Sequence, residues 1–122
     1  MNTILNEVEI NGAKYVLKGQ EKTAEKTDGM EYVIIRTYSA GVHAGYLKRR
    51  EGKEVELINA RRLWQWAGAA SLSQLAMDGS KEPNSCKFPC EVKSIILTEA
   101  IEIIACTDKA MKSIKEVKVW EK

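Results

Sequence analysis

The 122-residue chain has one histidine, one phenylalanine, two prolines and three cysteines, and each shortage removes a class of explanation. With His43 alone, any Ser-His-Asp or Cys-His scheme must run through a single imidazole. Its setting, "SAGVHAG", reads better as a strand residue beside a turn. Three cysteines, an odd number behind a start ("MNTILNEVEI") that lacks the pattern of a signal peptide, describe reduced thiols and a cytosolic chain. Cys86 and Cys90 in "CKFPC" resemble half a zinc site, but structural zinc takes four ligands and a second pair is missing. No apolar run approaches the roughly 20 residues of a membrane-spanning helix. Phosphate loops, the dinucleotide-binding glycine fingerprint and acidic metal clusters are absent as well. Binding, not catalysis, is the expected chemistry, with no metal and no cofactor.

Excess charge is also scarce. A net charge of +2 argues against a chain held on nucleic acid by bulk electrostatics. The distribution is less even than the total: residues 30–68 hold seven Lys/Arg against four Asp/Glu, while residues 69–122 hold eight of each. All five arginines, Arg36, Arg49, Arg50, Arg61 and Arg62, fall in that middle third. A guanidinium is a flat five-donor fork suited to phosphate and to stacking, which lysine cannot copy. The clustering points to an anion site, or else is drift in a lysine-rich chain.

What is present reads as an α+β fold, a mostly antiparallel β-sheet with two short helices and an N-terminal β-hairpin. Residues 1–19 contain alternating apolar and polar residues on both sides of Asn11-Gly12, a dipeptide suited to a tight hairpin turn, and form an appendage. Residues 20–29, "QEKTAEKTDG", read as a flexible linker, and 30–122 as the ligand-binding domain. In that domain "EYVIIRTY" and "VHAGYLKRR" are strands. "VELINARRLWQW" is one long strand in which the alternation changes phase, with Val55, Leu57 and Leu63 on one face and Ile58, Ala60, Arg62, Trp64 and Trp66 on the other; either a bulge lies near Asn59 or both faces are covered. "AASLSQLAMDG" is a short helix ending at Gly79, and "SKEPNSCKFP" a loop. "EVKSIILTEAIEIIACT" supplies one or two strands, "TDKAMKSIKEV" a helix capped by Thr107 or Asp108, and "KVW" a closing strand.

In an extended strand Arg62, Trp64 and Trp66 project to one side, so a guanidinium sits by indole faces on which a base can stack. Both tryptophans could equally fill the core. Arg36 and Tyr38 precede the small residues Ser39, Ala40 and Gly41, where backbone N–H groups can come close to phosphate. Phe88 is either a core plug or a lid.

The stretches "YVIIRTYSAGVHAGYL", "NARRLWQWAGAASLSQLA", "CKFP" and "IILTEAIEIIACT", within residues 32–107, together resemble a family of small phage and prophage proteins. The hairpin and linker lie outside the likeness. The family is associated with the phage anti-defence sponges that antagonise the Thoeris system, which bind and sequester cyclic ADP-ribose signals made by bacterial TIR enzymes. Some members also hold cyclic oligonucleotides. The resemblance implies a homo-oligomer in the cytoplasm of an infected bacterial host, holding its ligand without cleaving it. It also implies that ligand-binding residues lie among Arg36, Tyr38, Ser39, Gly41, Asn59, Arg61, Arg62, Trp64 and Phe88. The competing reading is a small phage nucleic-acid-binding or protein-interaction module using the same basic, aromatic strand; its affinity for nucleic acid would fall steeply with salt.

Overall fold

Two residues, Thr98 and Glu99, join strands that stand at opposite edges of one sheet, and this sets the shape of the molecule. The computed structural model describes residues 7–10, 13–16 and 22–121. Its main sheet contains β3 (Tyr32–Thr37), β4 (Val42–Glu51), β5 (Glu54–Arg62), β6 (Glu91–Leu97) and β7 (Ala100–Ala105), all antiparallel, in the order β6-β5-β4-β3-β7. In a flat sheet the edge strands would lie about 19 Å apart, four spacings of about 4.8 Å. From Leu97 to Ala100 the chain spans three Cα steps, at most about 11 Å. The sheet must therefore coil. In doing so it brings the β4–β5 turn against β7, where the Ala100 N–H donates to Lys53 O at 3.0 Å.

Coiling gives the sheet an inside. Val33, Ile35, Val55, Leu57, Ala60 and Leu97 form a buried cluster drawn from strands alone, with Ile95 and Ile103 packed against it. The outer face of the sheet carries the second cluster. Tyr32, Ile34, Ala44, Tyr46 and Leu63 meet Leu75 and Ala76 of α1 (Leu72–Asp78), Ala110, Met111 and Ile114 of α2 (Asp108–Glu116), and Phe88. The fold is α+β and mostly sheet, as the alternation of apolar residues indicates.

Both helices begin at a capping hydroxyl, and of the two candidates for α2 it is Thr107. Ser71 Oγ accepts from Gln74 N–H, and α1 ends at Gly79, φ +74°. Thr107 Oγ1 accepts from Ala110 N–H and donates to Met77 O at 2.6 Å, so one hydroxyl caps α2 and ties it to α1. Such a cap contributes about 1 kcal/mol.

One alternative offered by the sequence, the bulge near Asn59, is found, and three expectations change. Asn59 adopts φ +50°, and two residues of β5 oppose Gly45 alone, so a bulge resets the alternation. Ala60 consequently joins Val55 and Leu57 inside, while Leu63 joins the helix side. Strand β5 stops at Arg62 and does not run on to Trp66; beyond it Gln65 makes one isolated bridge to Lys87. "KVW" is likewise a single parallel bridge, Phe88 to Val119, with Trp120 N–H donating to Phe88 O at 3.0 Å. The first part of the expected linker is tied down: Ala24 is buried, its N–H donates to Cys106 O, and Lys22 O accepts from Asp108 N–H.

The N-terminal strands β1 (Glu7–Ile10) and β2 (Ala13–Val16) pair in a register that sets Val8 opposite Tyr15 and Ile10 opposite Ala13. The Asn11-Gly12 turn expected between them lies outside the described residues. Among the described residues no helix is long and apolar enough to cross a membrane.

Candidate functional site

The turn between β3 and β4 is held closed by its first residue. Thr37 donates to Gly41 O twice, from its backbone N–H at 3.0 Å and from Oγ1 at 2.7 Å, and Oγ1 also accepts from Ala40 N–H. Gly41 turns the chain at φ +83°, a conformation that costs a side-chain-bearing residue roughly 1–2 kcal/mol. The Ala40 carbonyl then points to β4 and β5, where it accepts from His43 Nε2 at 3.0 Å and Arg62 Nη1 at 2.8 Å. His43 and Arg62 are cross-strand partners, so the sheet register puts both donors at one oxygen.

Between this turn and the segment that follows β5 lies an open cleft of about 330 Å³, lined by Ser39, Ala40, Gly41, Val42, Arg62, Leu63, Trp64 and Trp66. Trp64 leaves 62% of its surface exposed, whereas Trp66 packs against the helix-side core. Arg62 is exposed, and Nη1 makes its one hydrogen bond among the described residues, which leaves the other guanidinium donors for a ligand. The N–H groups of Ser39 and Gly41 have no partner among the described residues. Burial holds the His43 imidazole below its usual pKa, opposed by the Ala40 bond and reinforced by Arg62, so His43 is neutral at physiological pH with the proton on Nε2. The positive charge of the cleft belongs to Arg62. An exposed indole beside a guanidinium and two backbone donors can stack a planar ring and hold an anion.

Four residues singled out in the sequence meet here: Ser39, Gly41, Arg62 and Trp64. Tyr38, 77% exposed, stands next to Ser39 with its N–H bonded to Glu99 O, outside the lining. The remaining four lie elsewhere. Arg36 is ion-paired on the surface to Glu102 at 3.1 Å. Asn59 forms the β5 bulge. Phe88 is fully buried, a core plug and not a lid. Arg61 is 4% exposed, and its guanidinium donates to Pro89 O at 2.9 Å, Ile114 O at 2.8 Å and Phe88 O at 3.0 Å while stacking on the Phe88 ring. With a bond from each of its three nitrogens it is a brace between β5, the loop before β6 and the C-terminal end of α2. Trp66 and Ala40, read in the sequence beside Trp64 and Ser39, also line the cleft, whereas sequence reasoning missed Val42 and Leu63. It also missed the Ala40 carbonyl as an acceptor, because a backbone oxygen leaves no mark in a sequence.

Among the described residues no group of three or more His, Cys, Asp or Glu is placed to hold a metal ion. Cys86 is buried with Sγ against Ser80 Oγ at 3.3 Å, and Cys106 is buried with its thiol pushed up to about 12 by desolvation. Cys90 is exposed and shares a smaller cavity with His43, Ala60, Arg62, Pro89, Val92 and Ile95.

No curated protein and no solved structure matches the chain. One family model does, over residues 30–114, from the residue before Glu31 and β3 into α2 and without the N-terminal hairpin; the chain belongs to that family, described as a domain of unknown function (DUF6948).

Proposed function

We propose that this protein is a non-catalytic binding protein that takes a small phosphorylated nucleotide into the Arg62–Trp64 cleft and sequesters it. The ligand is a cyclic ADP-ribose-type signal, as the likeness to Thoeris anti-defence sponges implies, and the setting is the cytoplasm of an infected bacterium. The observation that carries the reading is the pairing of an exposed indole with an incompletely used guanidinium beside two unpartnered N–H groups. Stacking a base on such an aromatic contributes roughly 1–3 kcal/mol, and a charge-assisted bond to phosphate roughly 1.5–3 kcal/mol. Neither needs a general base, and the neutral His43 imidazole already spends its Nε2 proton on Ala40 O.

At about 330 Å³ the cleft stands near the lower end of ligand cavities, which run roughly 300–1,000 Å³. It accommodates a base with one phosphate. The rest of a dinucleotide lies over the exposed rim, against Tyr38 and a neighbouring subunit of a homo-oligomer.

Calorimetric titration of the intact chain with a panel of cyclic ADP-ribose isomers tests this, followed by heat denaturation and analysis of the released ligand. One isomer should bind and emerge intact, and Trp64→Ala and Arg62→Ala should each weaken it about tenfold or more. Light scattering should show an oligomer. Cleaved product, or binding unchanged in both variants, would refute the reading.

A further inference from the structure

A carboxylate stands behind Ser39, next to the cleft and outside its lining. Ser39, a lining residue, donates its hydroxyl to Glu99 Oε1 at 2.8 Å, and the neighbouring Tyr38 N–H donates to Glu99 O at 3.0 Å. The β6–β7 connection is thereby fastened to the β3–β4 turn through both the backbone and the side chain of Glu99. Among the described residues Glu99 has no cationic partner, whereas the nearby Glu102 is paired to Arg36. Its carboxylate therefore keeps acceptor capacity next to a cleft whose unused polar groups are donors, the Arg62 guanidinium and the N–H groups of Ser39 and Gly41, set among apolar and aromatic side chains.

A ligand complementary to this arrangement carries hydroxyl donors next to its anionic group. Phosphate at neutral pH offers acceptors, and the face of a base offers only a stacking surface. A ribose with free vicinal hydroxyls supplies what is left, and a carboxylate accepting ribose hydroxyls is a recurrent solution in nucleotide sites. The same negative charge disfavours a second phosphate at that end.

We propose that Glu99 is a specificity-determining residue of the cleft, selecting ribonucleotides by accepting the hydroxyls of the ligand's ribose. The inference rests on the nucleotide reading and adds the identity of the sugar. The ligand class is a ribonucleotide with free 2′ and 3′ hydroxyls that presents one phosphate to Arg62.

The test is titration of the intact chain with adenosine 5′-monophosphate and with its 2′,3′-dideoxy counterpart. The parent should bind the ribonucleotide about tenfold more tightly or better, the worth of a hydroxyl bonded to a carboxylate. In Glu99→Ala that ratio should fall to within about twofold, with the dideoxy compound binding as before or more tightly. Glu99→Gln keeps an acceptor for Ser39 Oγ but removes the charge, and should retain only part of the preference. Ser39→Ala leaves the carboxylate in place and should retain most of it. Equal binding of the two nucleotides by the parent overturns the role of Glu99 while leaving the nucleotide reading intact. An undiminished ratio in Glu99→Ala does the same. Failure of both nucleotides to bind at millimolar concentration, where a cyclic ADP-ribose isomer binds, overturns the role of Glu99 alone; failure of all three overturns both.

Discussion

Replacing Arg61 by alanine should cost the protein much of its stability. The guanidinium is buried and donates to three backbone carbonyls, Pro89 O, Ile114 O and Phe88 O, while packing over the Phe88 ring at 5.5 Å. Desolvation lowers its pKa, with Tyr32 and Glu91 among the groups that oppose the shift. Truncation removes three charge-assisted bonds and strands three acceptors, each worth roughly 1–3 kcal/mol if it stays dry. The space vacated by the side chain admits water, which recovers part of the loss, and the desolvation cost of the cation disappears with it. The net effect is about 3–5 kcal/mol, the part of the three-acceptor loss that water does not recover and at the high end for a single substitution. For a domain of this size 1 kcal/mol moves Tm by about 4 °C, so Tm should fall by about 12–20 °C. Arg61→Lys should recover less than half, because a point charge cannot reach three carbonyls in one plane. Arg62→Ala loses one exposed bond to Ala40 O and should lower Tm by no more than about 4 °C. Thermal denaturation followed by circular dichroism reads all three. If Arg61→Ala melts within about 4 °C of the parent, the buried brace is not what holds the loop before β6 to α2.

His43 makes stability depend on pH. Burial depresses its folded-state pKa below the ordinary value of 6.5, so on acidification the unfolded chain takes up the proton first and stability falls as pH drops below about 6.5. Urea midpoints at pH 7.5 and 5.5 should show this fall in the parent and a shallower one in His43→Gln; identical slopes would remove His43 as the cause. Asn59→Gly should be tolerated at φ +50°, whereas Asn59→Val should cost about 1–2 kcal/mol, and equal melting of the two would refute the bulge. Thiol titration at pH 8 should label one cysteine per native chain, Cys90, and all three after denaturation; rapid labelling of Cys106 would contradict a thiol whose pKa is pushed up to about 12.

The legible parts of the fold are those fixed by near neighbours. A run of β-branched and aromatic residues marks β3, and Gly79 and Thr107 mark helix ends because each cap acts within four residues of itself. Coiling of the sheet was not legible. It follows from pairing β3 with β7 and β5 with β6, contacts between segments far apart in sequence, together with the two-residue connection that makes a flat arrangement impossible. Asn59 lies between these cases. Asparagine is among the few residues that accept a left-handed backbone, so a bulge there could be anticipated, but its effect on every later residue of β5 depends on Gly45 across the ladder. A Cβ on Gly45 would stand 3.0 Å from Ala60 Cα, so the absence of a side chain at one position permits the bulge at another.

The candidate site shows the same limit at the scale of two residues. Arg61 and Arg62 are indistinguishable by type and adjacent in sequence, and both were expected at the ligand. Neighbours on a strand face opposite sides, so at most one of them can serve a given surface. Which one is decided by the bulge: once Asn59 shifts the phase, Arg61 falls on the helix side, where the carbonyls of Phe88, Pro89 and Ile114 are waiting for donors. Arg62 is turned to His43 and the Ala40 carbonyl, at the mouth of the cleft that Trp64 overlooks. Composition could identify guanidinium and indole as the materials of a site. Assigning the first arginine to stability and the second to binding required the geometry of one residue, Asn59, two and three positions upstream.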